Sequence, residues 1–136
     1  MSNLARHLSN LSRTGLPVIV SINRFETDTD TELNVLRDVA SRSGAESVVL
    51  FEGHARGGLG ARDLAEAVAT AADNHVKNGR PYEPVVTEDD NARSRISKVG
   101  LELYGASSIT VSDEAEAALA EIESWGFGGL PVCMAK

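Results

Sequence analysis

Strand-like apolar runs and helical spacing alternate along this chain. The clearest β-type runs are "LPVIVSI" (16–22) and "AESVVLF" (45–51). Between them Leu33, Leu36 and Ala40 recur on one helical face, Thr29 stands where an N-cap belongs with Glu32 three residues on as a capping-box partner, and Gly44 suits the exit. A strand, a helix and a second strand on short connections predict a right-handed parallel crossover, which leaves the residues at the strands' carboxyl ends facing solvent. The expected fold class is α/β, a parallel-sheet layer structure with helices packed on the strands.

Beyond the second strand, "EGHARGGLG" predicts a glycine-rich loop that opens an alanine-rich helix, with Leu64, Val68 and Ala71 on its buried face. "NGRPYEPVV" breaks the pattern. A helix is then expected over Glu88–Tyr104 through Ile96, Val99 and Leu103, capped by Thr87 and ended by Gly105, with Glu88, Asp89 and Asp90 as its acidic first turn. "SSITV" suits a short strand, Ser112 a cap for a last helix with Ala115, Leu119 and Ile122 inward and Gly126 at its end, and "LPVCMA" a further buried strand that makes Cys133 a small core hydrophobe. With 136 residues the chain suits one α/β segment, 1–136, and one core.

Composition narrows the function classes. No apolar run approaches a membrane span, no secretory leader is visible at the start, and the one cysteine cannot form an internal disulfide, so a reducing cytoplasm is expected. A net charge of −7 argues against sequence-independent binding to nucleic acid or anionic membranes.

Candidate chemistry gathers after the two strands. The loop "NRFETDT" precedes a helix N-terminus, where backbone N–H groups favour an anionic partner. Its plainest reading is a turn and cap made by Thr27, Asp28 and Thr29, with Phe25 tucked under a neighbour. Against that, only 4% of the chain is aromatic, and a ring at a strand's carboxyl end suits stacking on a flat ligand. In "HARGGLG", Arg56 with Gly57 and Gly58 offers an anion contact, although a flexible connection explains the same glycines, and His54 opens the same segment. His7 and His75 fall on predicted helices. There is no G-x-x-x-x-G-K-[ST] phosphate loop, and no His, Cys or acidic spacing suits a metal.

Four strings occur in order: "GLPVIVSINRFETDTDTEL", "ARGGLGARDLAEAV", "LYGASSITVSDEAEAALAEIESWGF" and "LPVCMAK". Together they resemble formate–tetrahydrofolate ligase, and the likeness runs from "NLARHLSNL" to Lys136 while covering only a portion of that family's longer sequence. The resemblance implies an ATP-dependent carbon–nitrogen ligase of one-carbon metabolism that makes formyl phosphate from formate, passes the formyl group to tetrahydrofolate, and uses magnesium with its nucleotide. It places this chain on the folate side, where the position of Phe25 and that of His54 hold the flat pterin and Leu50 lines the slot, with Asn23, Arg24, Thr27 and Asp28 matching the supporting loop. Two positions depart from the family: His54 stands where a Trp is usual, and Glu26 replaces the Pro of "RFPTDT". The family's phosphate loop lies upstream of the matched region and its "PVCMAK" continues into a polar segment, so the expectation is a fragment inactive alone. The alternative is a non-catalytic folate-binding module or one dependent on a partner chain. An interior strand at "LPVCMA", left unpaired, would favour self-association into homo-oligomers or union with the missing ligase segments.

Overall fold

The computed structural model describes residues 2–78 and 81–134, and the chain divides into two compact units, Met1–Glu83 and Pro84–Lys136. Among the described residues no helix is long and apolar enough to cross a membrane.

The first unit opens with helix α1 (Ser2–Ser12), followed by strand β1 (Ile19–Asn23), helix α2 (Asp30–Arg42) and strand β2 (Ser47–Phe51). The α/β class holds: β1 and β2 pair in parallel, with Ile22 opposite Leu50 and Asn23 opposite Phe51, and helices pack around them. The capping box forms as the sequence predicts. Thr29 Oγ1 accepts from the Glu32 amide at 3.3 Å, and Glu32 Oε2 accepts from the Thr29 amide at 3.0 Å. The Thr29 hydroxyl also donates to Glu32 Oε2 at 2.7 Å, and this bond first, then the amide's, holds the Glu32 carboxyl below its ordinary range. Gly44, with φ of 98°, lets the chain leave α2 through a conformation that a β-carbon would strain. Leu8, Ile22, Leu33, Ala40 and Ala71 are this unit's buried apolar residues, and Ala40 is wholly enclosed.

The predicted glycine-rich loop is mostly helical. Gly53–Arg56 form one turn, α3, and after Gly57 the long helix α4 runs over Gly58–Asn78. Only Gly57, with φ of 55°, breaks the run. Gly60, in the first turn of α4, lies against the Glu52 carbonyl, where a side-chain carbon has no room, and its own carbonyl accepts from the Glu52 amide at 3.1 Å. Ala71 is buried and Leu64 half-buried as expected, but Val68 is exposed; Ala67 and His75 complete the inward stripe instead. His75, with Leu16, Pro17 and Ala71, lines a shallow hollow beside β1.

In the second unit, helix α5 spans Ala92–Lys98, continues as a π-helical segment Val99–Leu103, and is followed by α6 over Asp113–Ser124. Its start differs from expectation for a definite reason. Thr87 does not cap α5: its amide donates to Asp90 Oδ2 at 2.8 Å, closing Thr87–Asp90 into a turn, and Asn91 becomes the cap by accepting from the Ser94 amide at 2.9 Å. Glu88 and Asp89 lie in that turn, not in a first helical turn. Gly105 and Gly126 end their segments with positive φ, and Ser112 caps α6, all as predicted. "SSITV" forms no strand, since among the described residues no second strand lies beside it to take its backbone hydrogen bonds, and Ala115 is exposed. Pro131–Met134 are likewise unpaired with Cys133 exposed, so the cysteine is not a core residue; Ala135 lies outside the described residues.

Candidate functional site

Both candidate loops leave the paired strands at the same sheet edge, because parallel pairing sets Asn23 opposite Phe51. The two are joined directly there. The Arg24 amide donates to the Phe51 carbonyl at 3.1 Å, and Arg24 Nη1 lies 4.0 Å from Glu52 Oε1. This is the arrangement in which open α/β sheets place ligands, outside the carboxyl ends of strands.

The first loop is a tight turn. Asp28 Oδ2 accepts from the Phe25 amide at 2.8 Å, and the Asp28 amide returns a bond to the Phe25 carbonyl at 3.1 Å. Reciprocal bonds of this kind satisfy the loop's own backbone, leaving Glu26 and Thr27 at its tip. The ring of Phe25 is therefore not tucked under a neighbour: 65% of the residue is exposed, immediately after a strand whose Ile22 is buried. An uncovered aromatic side chain on a self-bonded turn loses contact area with water only when something docks on it.

Across the edge, Glu52 follows β2 and His54 and Arg56 sit on α3, all three on the second loop side. Arg56 Nη1 donates to Glu52 Oε2 at 3.0 Å, so the candidate anion contact already has a carboxylate partner. Gly57 and Gly58 form the α3–α4 junction, not an open cradle. Leu50 and Arg56 line one hollow of about 520 Å³ with Arg37, Glu52 and Leu59, but neither Phe25 nor His54 lines it. The structure thus brings Asn23, at the end of β1, together with Arg24, Phe25 and Asp28 on the loop that follows, sets His54 and Arg56 on the facing segment, and turns Leu50 into a hollow that Arg56 shares but Phe25 and His54 do not. Thr27 is exposed at the turn's tip.

Glu52 went unnoticed in the sequence pattern, although its position four residues before Arg56 is the spacing at which opposite charges meet on a helix. Asp30, whose Oδ1 lies 3.4 Å from Arg24 Nη2, adds a second carboxylate to the same arginine. Among the described residues no three His, Cys, Asp or Glu side chains converge as a metal would require.

The family model described as formate–tetrahydrofolate ligase matches residues 1–136. A curated formate–tetrahydrofolate ligase from Methylobacterium nodulans is 41% identical over 136 residues, an alignment covering 98% of this chain and 24% of that ligase. The chain spans about a quarter of the length of this relative.

Proposed function

From the premise that this chain belongs to the formate–tetrahydrofolate ligase family, we propose that it supplies part of the tetrahydrofolate side of an ATP-dependent carbon–nitrogen ligase. In the proposed reaction a formate oxygen takes the terminal phosphoryl group of ATP, giving formyl phosphate and ADP. The tetrahydrofolate amine then attacks the formyl carbon, phosphate leaves with the electron pair of the broken C–O bond, and the amine's proton ends on the released phosphate.

The observation that carries the folate-side reading is the exposed ring of Phe25 on a turn fixed by Asp28, at the sheet edge that the second loop shares. Phe25 offers one flat face to the pterin, worth about 0.5–1.5 kcal/mol beyond buried area. His54 stands on the facing segment as the second wall, and Leu50, which lines the separate hollow, is left out of the slot. Asn23, Arg24, Thr27 and Asp28 belong to the supporting loop, and Arg56, while it stays paired with Glu52, meets an anionic group of the ligand through the guanidinium N–H groups that this pair does not use. Binding geometry of this kind lowers the barrier by orienting the amine, and chemistry gains only when formate and ATP are held beside it.

ATP and magnesium are assigned to no residue of this chain: it has no G-x-x-x-x-G-K-[ST] loop, and the donor set among the described residues does not suit the metal. The 136-residue polypeptide is accordingly proposed to be inactive by itself, able to act only with the ligase's other segments, and otherwise a folate-binding module. We place it in the cytoplasm, since its single cysteine has no intrachain partner.

Calorimetric titration with tetrahydrofolate and a coupled assay of ADP release test both parts. Saturable tetrahydrofolate binding with no formate-dependent ATP turnover is expected. Absence of binding at millimolar tetrahydrofolate overturns the folate-side reading, and turnover by the pure chain overturns the proposed incompleteness.

A further inference from the structure

We propose that Glu52 is a positioning residue, whose carboxylate ties the loop after β1 to the segment after β2 and so sets the width of the slot between them. The inference rests on the folate-side reading for what that width serves, but the tie is a property of the chain alone. One oxygen of Glu52 meets Arg56 Nη1 at 3.0 Å and the other faces Arg24 Nη1 at 4.0 Å, so a single carboxylate stands between guanidiniums from both loops. Its side chain is 31% exposed, against 87% for Asp30, the other carboxylate near Arg24. Asp30 is the nearer carboxylate to Arg24 at 3.4 Å, but partial shielding makes the Glu52 pair less subject to screening, and only Glu52 also reaches Arg56.

The backbone around Glu52 is fixed from three directions. Its amide donates to the Gly60 carbonyl, its carbonyl accepts from the Arg56 amide at 2.9 Å, and the preceding carbonyl, that of Phe51, accepts from the Arg24 amide. Gly60 lies so close to the Glu52 carbonyl that a side-chain carbon would not fit. A carboxylate on so constrained a stem loses little freedom in holding two arginines. With Arg24 directly before Phe25, and Arg56 two residues past His54, movement at either guanidinium passes to a residue of the slot.

Tryptic cleavage reads the tie without ligand, because Arg24 and Arg56 are themselves cleavage sites. In Glu52→Gln, cleavage after Arg24 and after Arg56 should each rise about threefold relative to cleavage after Arg42, which pairs with Asp38 instead. Tetrahydrofolate Kd should rise by a similar factor while the thermal midpoint stays near the parent's. Equal change at all three bonds, or none, overturns the proposal. If Glu52→Gln does not melt cooperatively, Glu52→Asp decides: its shorter arm should loosen Arg24, the longer contact, more than Arg56, and an unchanged ratio of the two cleavages overturns the tie. A parent chain that binds no tetrahydrofolate refutes the folate-side reading, while the cleavage pattern still rules on Glu52.

Discussion

The unit Met1–Glu83 and the unit Pro84–Lys136 are ordered by different means. The first buries Ile22 on a paired strand and Leu33 and Ala40 on a capped helix, so its stability comes from apolar contact and a shared backbone ladder. The second pairs no strand among its described residues, and its buried polar groups are Asp90 and Arg95. Arg95 Nε donates to the Asp90 carbonyl at 2.6 Å and Nη2 to the Thr87 carbonyl at 3.2 Å, while Lys98 Nζ meets Asp90 Oδ2 at 2.6 Å. Its apolar residues Ile96, Ile109, Leu119 and Ile122 surround an open hollow of about 790 Å³. A paired core carries the exposed loops of the site; a network of caps and charges orders the other unit.

Core truncation should break this contrast most visibly. Leu33→Ala, at a residue 3% exposed, should cost about 2–4 kcal/mol of the first unit's stability in urea unfolding. Leu119→Ala, at the open hollow, should cost less than about 1 kcal/mol, since an unfilled space loses few further contacts. Equal costs would erase the distinction between a closed core and an open one.

Acid should separate the units next. Lys98 first, then the Thr87 amide, hold the Asp90 carboxyl well below its ordinary 3.8, against the opposing effect of desolvation. A carboxyl whose folded pKa is lowered stabilises the fold above the unfolded value, and that stabilisation is lost as pH falls below 3.8 toward the folded value. Asp90→Asn should therefore lower the second unit's stability near neutrality and flatten its acid dependence, read from the fluorescence of Trp125, the chain's one tryptophan. An unaltered acid profile in that variant would remove Asp90 from the account.

The same contrast decides what was legible from sequence. β1, β2 and their parallel pairing followed from β-branched runs joined by a short crossover, and Thr29, Glu32 and Gly44 announced the helix between them, because each is a local signal with one geometric outcome. In the second unit, the sequence pointed to Thr87 as the cap, and the side chain of Asp90 overrode it by bonding backward to Thr87, which left Asn91 to cap α5. "SSITV" has strand composition, but a strand exists only with a neighbour, which composition does not reveal. At the site, Phe25 was legible as an aromatic after a strand. Glu52 was not, since its role arises from two arginines, one of them 28 positions away in sequence.

A smaller effect sharpens the local part of the argument. Thr29→Ala removes a capping side chain and should cost about 1 kcal/mol in the first unit, visible as a lower urea midpoint with an unchanged slope. No change there would mean that strand pairing alone places the start of α2.

The most direct measurement concerns Phe25, whose exposure makes it nearly irrelevant to the fold. Calorimetric titration with tetrahydrofolate should be run on the parent, Phe25→Ala and His54→Trp, with thermal unfolding of each. Phe25→Ala should keep the parent's stability within about 0.5 kcal/mol and bind roughly two- to tenfold more weakly, while the larger indole of His54→Trp should bind about 1 kcal/mol more tightly. Parent-like tetrahydrofolate affinity in both variants would show that neither residue faces the pterin and would contradict the folate-side reading.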